Sequence, residues 1–153
     1  GLFHSTSYPD SDEKKESRTK TIEFIHRNGV LAFTANFIQP LFADAGHPAI
    51  EKVRALAMQS TTSAVVGYLQ AMRDRPGRES VLKQFSKPVF ILGGEQDKGI
   101  PALSLEHQAG YCLDPHLFIL PNMAHMAMYE SPEKTGSLIR SFLQRCDLGY
   151  KAT

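Results

Sequence analysis

Apolar and polar positions alternate along this chain in two rhythms. From about Asp10 to Gln84 apolar residues recur every three or four positions, the spacing of helices with one buried face. Ile22, Phe24 and Ile25 form the first such face, which Asn28-Gly29 is expected to stop. Asp10, with Glu13 three residues on, has the form of a helix-start signal. Val30, Leu31, Phe33, Phe37, Ile38, Leu41 and Phe42 make a strongly apolar second helix that Pro40 should kink or break. Gly46-His47-Pro48 punctuates the chain. Ile50, Val53, Leu56 and Ala57 then predict a third helix. Val65, Leu69 and Met72 predict a fourth, with Thr61, Thr62 or Ser63 as its cap, before a turn at Pro76-Gly77.

After Gln84 the rhythm changes. Pro88-Val89-Phe90-Ile91-Leu92 is a continuous apolar run ended by Gly93-Gly94, the form of a strand buried on both faces. A turn over Glu95–Pro101 and a helix from Pro101 to about Tyr111 follow. His116–Leu120 repeats the strand, and Pro121–His125 the turn. Ser131-Pro132-Glu133 opens a last helix with Leu138, Ile139, Phe142, Leu143 and Cys146 as its buried stripe. Leu2 and Phe3 resemble the end of an earlier strand. Strand, helix, strand, helix with short links predicts an α/β fold with a parallel sheet. The expected organisation is a strand end and following helix over 1–29, a helical region over 30–85, a βαβα unit over 86–147 and a tail over 148–153.

Composition narrows the function. Seventeen basic and sixteen acidic residues leave a net charge of +1, no electrostatic footprint for nucleic acid or an anionic membrane. The basic cluster Lys14, Lys15, Arg18, Lys20 is interleaved with acids and reads as a solvated helix face. No apolar run reaches the roughly 18 residues of a membrane span. No basic segment followed by an apolar one opens the chain, so no secretory signal is expected. The first residue is Gly1 rather than Met, and the chain reads as a fragment or a processed product. Two cysteines, Cys112 and Cys146, are expected as reduced, partly buried thiols of a cytoplasmic protein.

The chemistry lies in the two turns. Ligands of open parallel sheets bind beyond the C-terminal ends of the strands. Asp97 follows Leu92 by five residues, and His125 follows Leu120 by five. Either residue alone is ordinary, since an Asp in a glycine-rich turn commonly bonds its own backbone. Two adjacent strands that deliver an acid and an imidazole to one edge are not. The acid can fix the imidazole tautomer and stabilise its protonated form, leaving the other ring nitrogen as a base.

At this point the sequence resembles a family. PVFILGGEQDKGIP is similar to the α/β-hydrolase segment that runs from a buried strand through Gly-x-x-Asp-x-x-Val/Ile-Pro, matched by Gly94, Asp97, Ile100 and Pro101. HLFILPNMAHMAMYESPEKTGSLIRSFL resembles that family's final strand, catalytic histidine, Glu-x-Pro and last helix, matched by His125, Glu130, Pro132, Ile139, Phe142 and Leu143. LFHSTSYPDSDEKKESR looks like the strand and turn before the family's cap. Val30–Gln84 looks like the cap itself, and RALAMQSTTSAVVGYLQAMRDRPGR resembles that of lactonase- and esterase-type members. The resemblance implies a partial parallel sheet with a helical cap, the N-terminal half being absent. It makes Asp97 the acid and His125 the base of a nucleophile–His–acid triad acting on an ester, lactone or similar carbonyl. Ala124 stands where many members have Gly. No Gly-x-Ser-x-Gly occurs, so the nucleophile is missing from this chain. An Asp nucleophile, as in dehalogenases and epoxide hydrolases, and a non-catalytic binding protein on the same scaffold are the alternatives.

Met126, directly after the histidine, is the candidate substrate-binding residue, because ligand pockets are largely apolar. His4, His26, His47, His107, His116 and His125 form no His-x-x-x-His and no His-Glu-x-x-His, so no metal is expected, nor any other cofactor. No phosphate-binding loop is present. The expected partners are a small-molecule substrate and, through the open sheet edge, a second copy or the missing N-terminal part. By itself the chain is expected to be inactive.

Overall fold

A computed structural model describes residues 1–151, with side chains described as far as Cys146. The chain divides into two compact units. One holds Gly1–Ser7, Leu41–Ala43 and the residues from Glu79 on. The other holds Tyr8–Pro40 and Asp44–Arg78.

The first unit is built on three parallel strands, β1 (Leu2–Phe3), β2 (Val89–Gly94) and β3 (Pro115–Leu120), in the order β1-β2-β3. The register pairs Phe3 with Leu92 and Gly94 with Leu120. Successive side chains of a strand point to opposite faces, and here both faces are apolar. On one face Leu2, Val89, Ile91, Leu117 and Ile119 pack with Leu105 and Ala109 of helix α5 (Ala102–Ala109). On the other, Phe3, Phe90, Leu92, Phe118 and Leu120 pack with Leu138, Ile139 and Phe142 of helix α7 (Pro132–Lys151). Ile91, Leu92 and Leu105 are completely buried, each contributing roughly 1.5–3 kcal/mol of transfer free energy. Leu143, expected in the buried stripe of α7, is exposed; the helix turns Phe142 inward and Leu143 away. The end of the expected tail, 152–153, lies outside the described residues.

Gly93 and Gly94 do not end β2 but are its last two residues. A Cβ on Gly93 would meet Leu105 Cδ1 at 2.2 Å, and one on Gly94 would meet the carbonyl oxygens of Met123 and Ala124 at 2.3 Å. The glycines mark close approach rather than a stop. Asp97 therefore lies three residues beyond its strand, not five.

The second unit is helical. Its first helix, α1 (Asp12–Phe37), is interrupted at Gly29, whose φ of 80° breaks the helical run where Asn28-Gly29 predicts a stop. Ser11, not Asp10, caps α1, its side chain accepting from the Lys14 amide at 3.3 Å. Pro40 lies just past the helix in a 3₁₀ turn, Gln39–Leu41. Helices α2 (Ala49–Ala57) and α3 (Thr62–Asp74) follow, the latter capped by Thr61. Ile22, Ile25 and Val30 of α1 bury against Val66 and Leu69 of α3. Asp10, freed from capping, is buried and paired with Arg18 and, at 3.2 Å, with Arg75 beyond the end of α3. Arg18 is thus not part of a purely solvated face. Helix α4 (Glu79–Gln84) belongs with the sheet unit, where Leu82 packs on the Val89/Ile91 side. No helix among the described residues is long and apolar enough to cross a membrane. Cys112 and Cys146 are free thiols.

Candidate active site

The ladder between β2 and β3 continues past the strand ends and zips their turns together. The Glu95 amide donates to Leu120 O at 2.9 Å and the Gln96 amide to Met123 O at 2.8 Å. The Asn122 amide, its residue at φ 58°, donates to the Glu95 carboxylate at 3.2 Å. Two turns so joined deliver their side chains to one place. His125 Nδ1 lies 2.8 Å from Asp97 Oδ2.

Asp97 is almost completely enclosed, its side chain 1% exposed. Its Oδ1 accepts the amides of Gly99 at 2.8 Å and Ile100 at 3.0 Å. Burial alone would push this carboxyl up. Hydrogen bonds from His125, His4 and the Ile100 amide, joined by the charge of His125 whenever that ring is protonated, outweigh burial and hold it far below the usual carboxylate range. Asp97 is therefore an ionised acceptor, and His125 must present Nδ1–H to it. That tautomer leaves Nε2 of His125 with a lone pair, on a side chain one-third exposed.

The loop that carries His125 is pinned on both sides. The His125 amide donates to Leu41 O at 3.0 Å. Glu130, in the short helix α6 (Ala127–Glu130), accepts the Ala124 amide at 2.9 Å and the Ala43 amide at 2.7 Å, one on each carboxylate oxygen. Glu130 thus fixes the residue before the histidine. Met126 is half-buried and starts α6, its carbonyl accepting the amides of Tyr129 at 2.7 Å and Glu130 at 2.9 Å.

A third residue completes the group, one that sequence reasoning left among scattered histidines. His4 follows β1 directly and places Nδ1 3.2 Å from the same Asp97 Oδ2. The signal is its position just past the C-terminal end of a strand, the same sheet edge that Asp97 and His125 occupy. A two-residue strand is too short to reveal that by pattern. Two histidines and a carboxylate, with donor atoms all within 4.8 Å of one another, are also the residue types of a metal centre. Here both Nδ1 atoms lie at hydrogen-bond distance from one carboxylate oxygen, and shared protons account for the spacing.

No family model and no curated protein matches the sequence. Solved structures do. An esterase from Thermogutta terrifontis is 26% identical, with a TM-score of 0.85 over 94% of this chain and 54% of its own. MenH from S. aureus is 15% identical, with a TM-score of 0.81 over 95% of this chain and 58% of its own. An enol-lactonase from Burkholderia xenovorans LB400 is 12% identical, with a TM-score of 0.80 over 92% of this chain and 54% of its own. The chain thus spans about half the length of the structures it matches, and over that span its fold is that of the α/β-hydrolases.

Proposed function

We propose that this chain supplies the acid and the base of an α/β-fold hydrolase acting on an ester, lactone or similar carbonyl. The observation that carries the reading is the 2.8 Å contact between an enclosed, ionised Asp97 and His125 Nδ1. In this reading Asp97 holds the ring and its tautomer. Nε2 of His125 takes the proton of a nucleophile as it attacks the carbonyl, then returns it to the leaving oxygen. The nucleophile belongs to polypeptide outside this chain, which has no Gly-x-Ser-x-Gly. Neighbours that include an esterase and an enol-lactonase favour oxygen-ester or lactone substrates. Met126, beside the base, lines the acyl side of the pocket.

The same reading makes an isolated preparation of this chain inactive, because base and acid without nucleophile or oxyanion donors lack the largest catalytic terms. It also makes β1 a pairing edge for the remainder of the protein or for a second copy. The test is His125→Ala in the full-length protein, assayed on short acyl esters and lactones. Loss of turnover by about 10⁴-fold is expected, and unchanged turnover would overturn the proposal.

A further inference from the structure

Asp97 is held by two imidazoles, and only one of them has a role in the proposed chemistry. His4 is 5% exposed as a residue and 2% as a side chain. The edge of the Phe3 ring closes against it, with centroids 5.2 Å apart, and the His125 ring lies 5.4 Å away at 60°. Among the described residues its buried Nε2 has no hydrogen-bond partner. A protonated ring would leave a buried N–H⁺ unsatisfied there. A neutral ring that donates from Nδ1 leaves only a lone pair, which is cheaper to bury. The arrangement therefore selects a neutral His4 with its proton on the Asp97 side.

The backbone is committed to this placement. His4 has φ 44°, in the left-handed region that is uncommon outside glycine and that Asn, Asp and His enter more readily than other residues. Bonds on both sides hold it. Its own amide extends the β1–β2 ladder to Leu92 O at 2.8 Å. Just beyond, the Ser7 amide, the Ser7 hydroxyl and the Thr6 hydroxyl all donate to Oε1 of Gln108, at 2.6, 2.9 and 3.1 Å. Gln108 is completely buried on α5 and donates in turn to Ser104 O at 2.9 Å. A residue in an uncommon backbone conformation, clamped on both sides with its ring against Asp97, is more than core filling.

We propose that His4 is a positioning residue for the acid–base pair, a neutral imidazole whose Nδ1–H fixes the Asp97 carboxylate and loosens that carboxylate's hold on the proton of His125. This rests on the reading of Asp97 and His125 as acid and base. With the Gly99 and Ile100 amides on Oδ1 and two imidazoles on Oδ2, the carboxylate cannot rotate without losing a partner. A donor that stabilises the carboxylate also makes it a weaker partner for the imidazolium. The titratable groups facing His4 are Asp97 from the β2 turn and His125 from the β3 turn. Glu95, in the same turn as Asp97, is engaged by the Asn122 amide instead.

The test uses the full-length protein with His4→Ala, His4→Asn and His125→Ala side by side. Asn tolerates the left-handed backbone and retains an N–H donor. His4→Ala should lower kcat about tenfold through misplacement of the base, with KM little changed. The acid limb of the kcat profile should move up by roughly one pH unit, and His4→Asn should restore both. In the unmodified protein, ¹⁵N-NMR should show His4 neutral and protonated at Nδ1 while His125 titrates. That measurement stands even if His4→Ala does not fold. If His125→Ala abolishes turnover while His4→Ala keeps the wild-type kcat and pH profile, the His4 proposal is overturned and the acid–base reading stands. If His125→Ala leaves turnover intact, it is that underlying reading that fails. A His4 ring that is charged, or protonated at Nε2 alone, also overturns the proposal.

Discussion

Asp10 and Asp97 are both buried carboxylates, one in each unit, and they are stabilised in different ways. Asp10 has two arginines, Arg18 and Arg75, and its carboxyl is lowered because their hydrogen bonds and charge outweigh burial. Arginine stays protonated throughout the working pH range, so this pair holds its charges fixed. Asp97 has two imidazoles and two amides. An imidazole changes charge near neutral pH and can pass a proton on. A buried acid on permanent cations ties elements together, whereas one on imidazoles has the partners that the proposed proton transfer needs.

The largest expected effect separates the two by activity. Asp97→Asn in the full-length protein should cut kcat by about 10⁴-fold through the wrong His125 tautomer. Asp10→Asn should leave kcat within about twofold, because its ion-pair partners are arginines, which stay protonated. An equal loss from both would break the contrast. Stability should then reverse the order. Asp10→Ala strips the partner from two arginines that bracket α1 and α3, and should cost about 2 kcal/mol in denaturant unfolding, the arginines being partly solvated.

The pH dependence sharpens the comparison. Both carboxyls are lowered in the folded state. Each contributes stability that is complete above the unfolded value of about 3.9 and is lost as pH falls toward the folded value. Unfolding free energy should therefore decline below about pH 4, and either Asp→Asn variant should flatten that decline. A variant as acid-sensitive as the parent would remove its carboxylate from the account. The smallest effect is expected at Glu130, a third carboxylate, which accepts two backbone amides. Glu130→Gln keeps the shape but loses the charge and one acceptor. About 1 kcal/mol of stability and a modest fall in kcat should follow, measurable by thermal melt and ester assay.

Much of the sheet could be read from the sequence because β2 and β3 are nearly continuous apolar runs, which few other structures require. Asp97 and His125 stood out because each follows such a run. The even spacing of five was misleading, since Gly93 and Gly94 belong to β2 and are glycine because Leu105 and the 123–124 carbonyls come so close. His4 escaped notice because its meaning depends on β1 pairing with β2, a long-range event that two residues cannot announce. Asp10 looked like a cap for the same kind of reason. Its partner Arg75 lies 65 residues away, and Ser11 beside it could do the local job.

The pinch at Gly94 bears on how this protein can be varied. The β2 turn and the histidine loop touch backbone to backbone there, so neither can change length or path alone. In chimeras with another protein of this fold, a crossover between residues 94 and 125 would separate two backbone segments that lie in close contact here. Exchanged as one cassette from Gly93 through Glu130, Asp97, His125 and the Glu130 carboxylate that pins the loop would travel together.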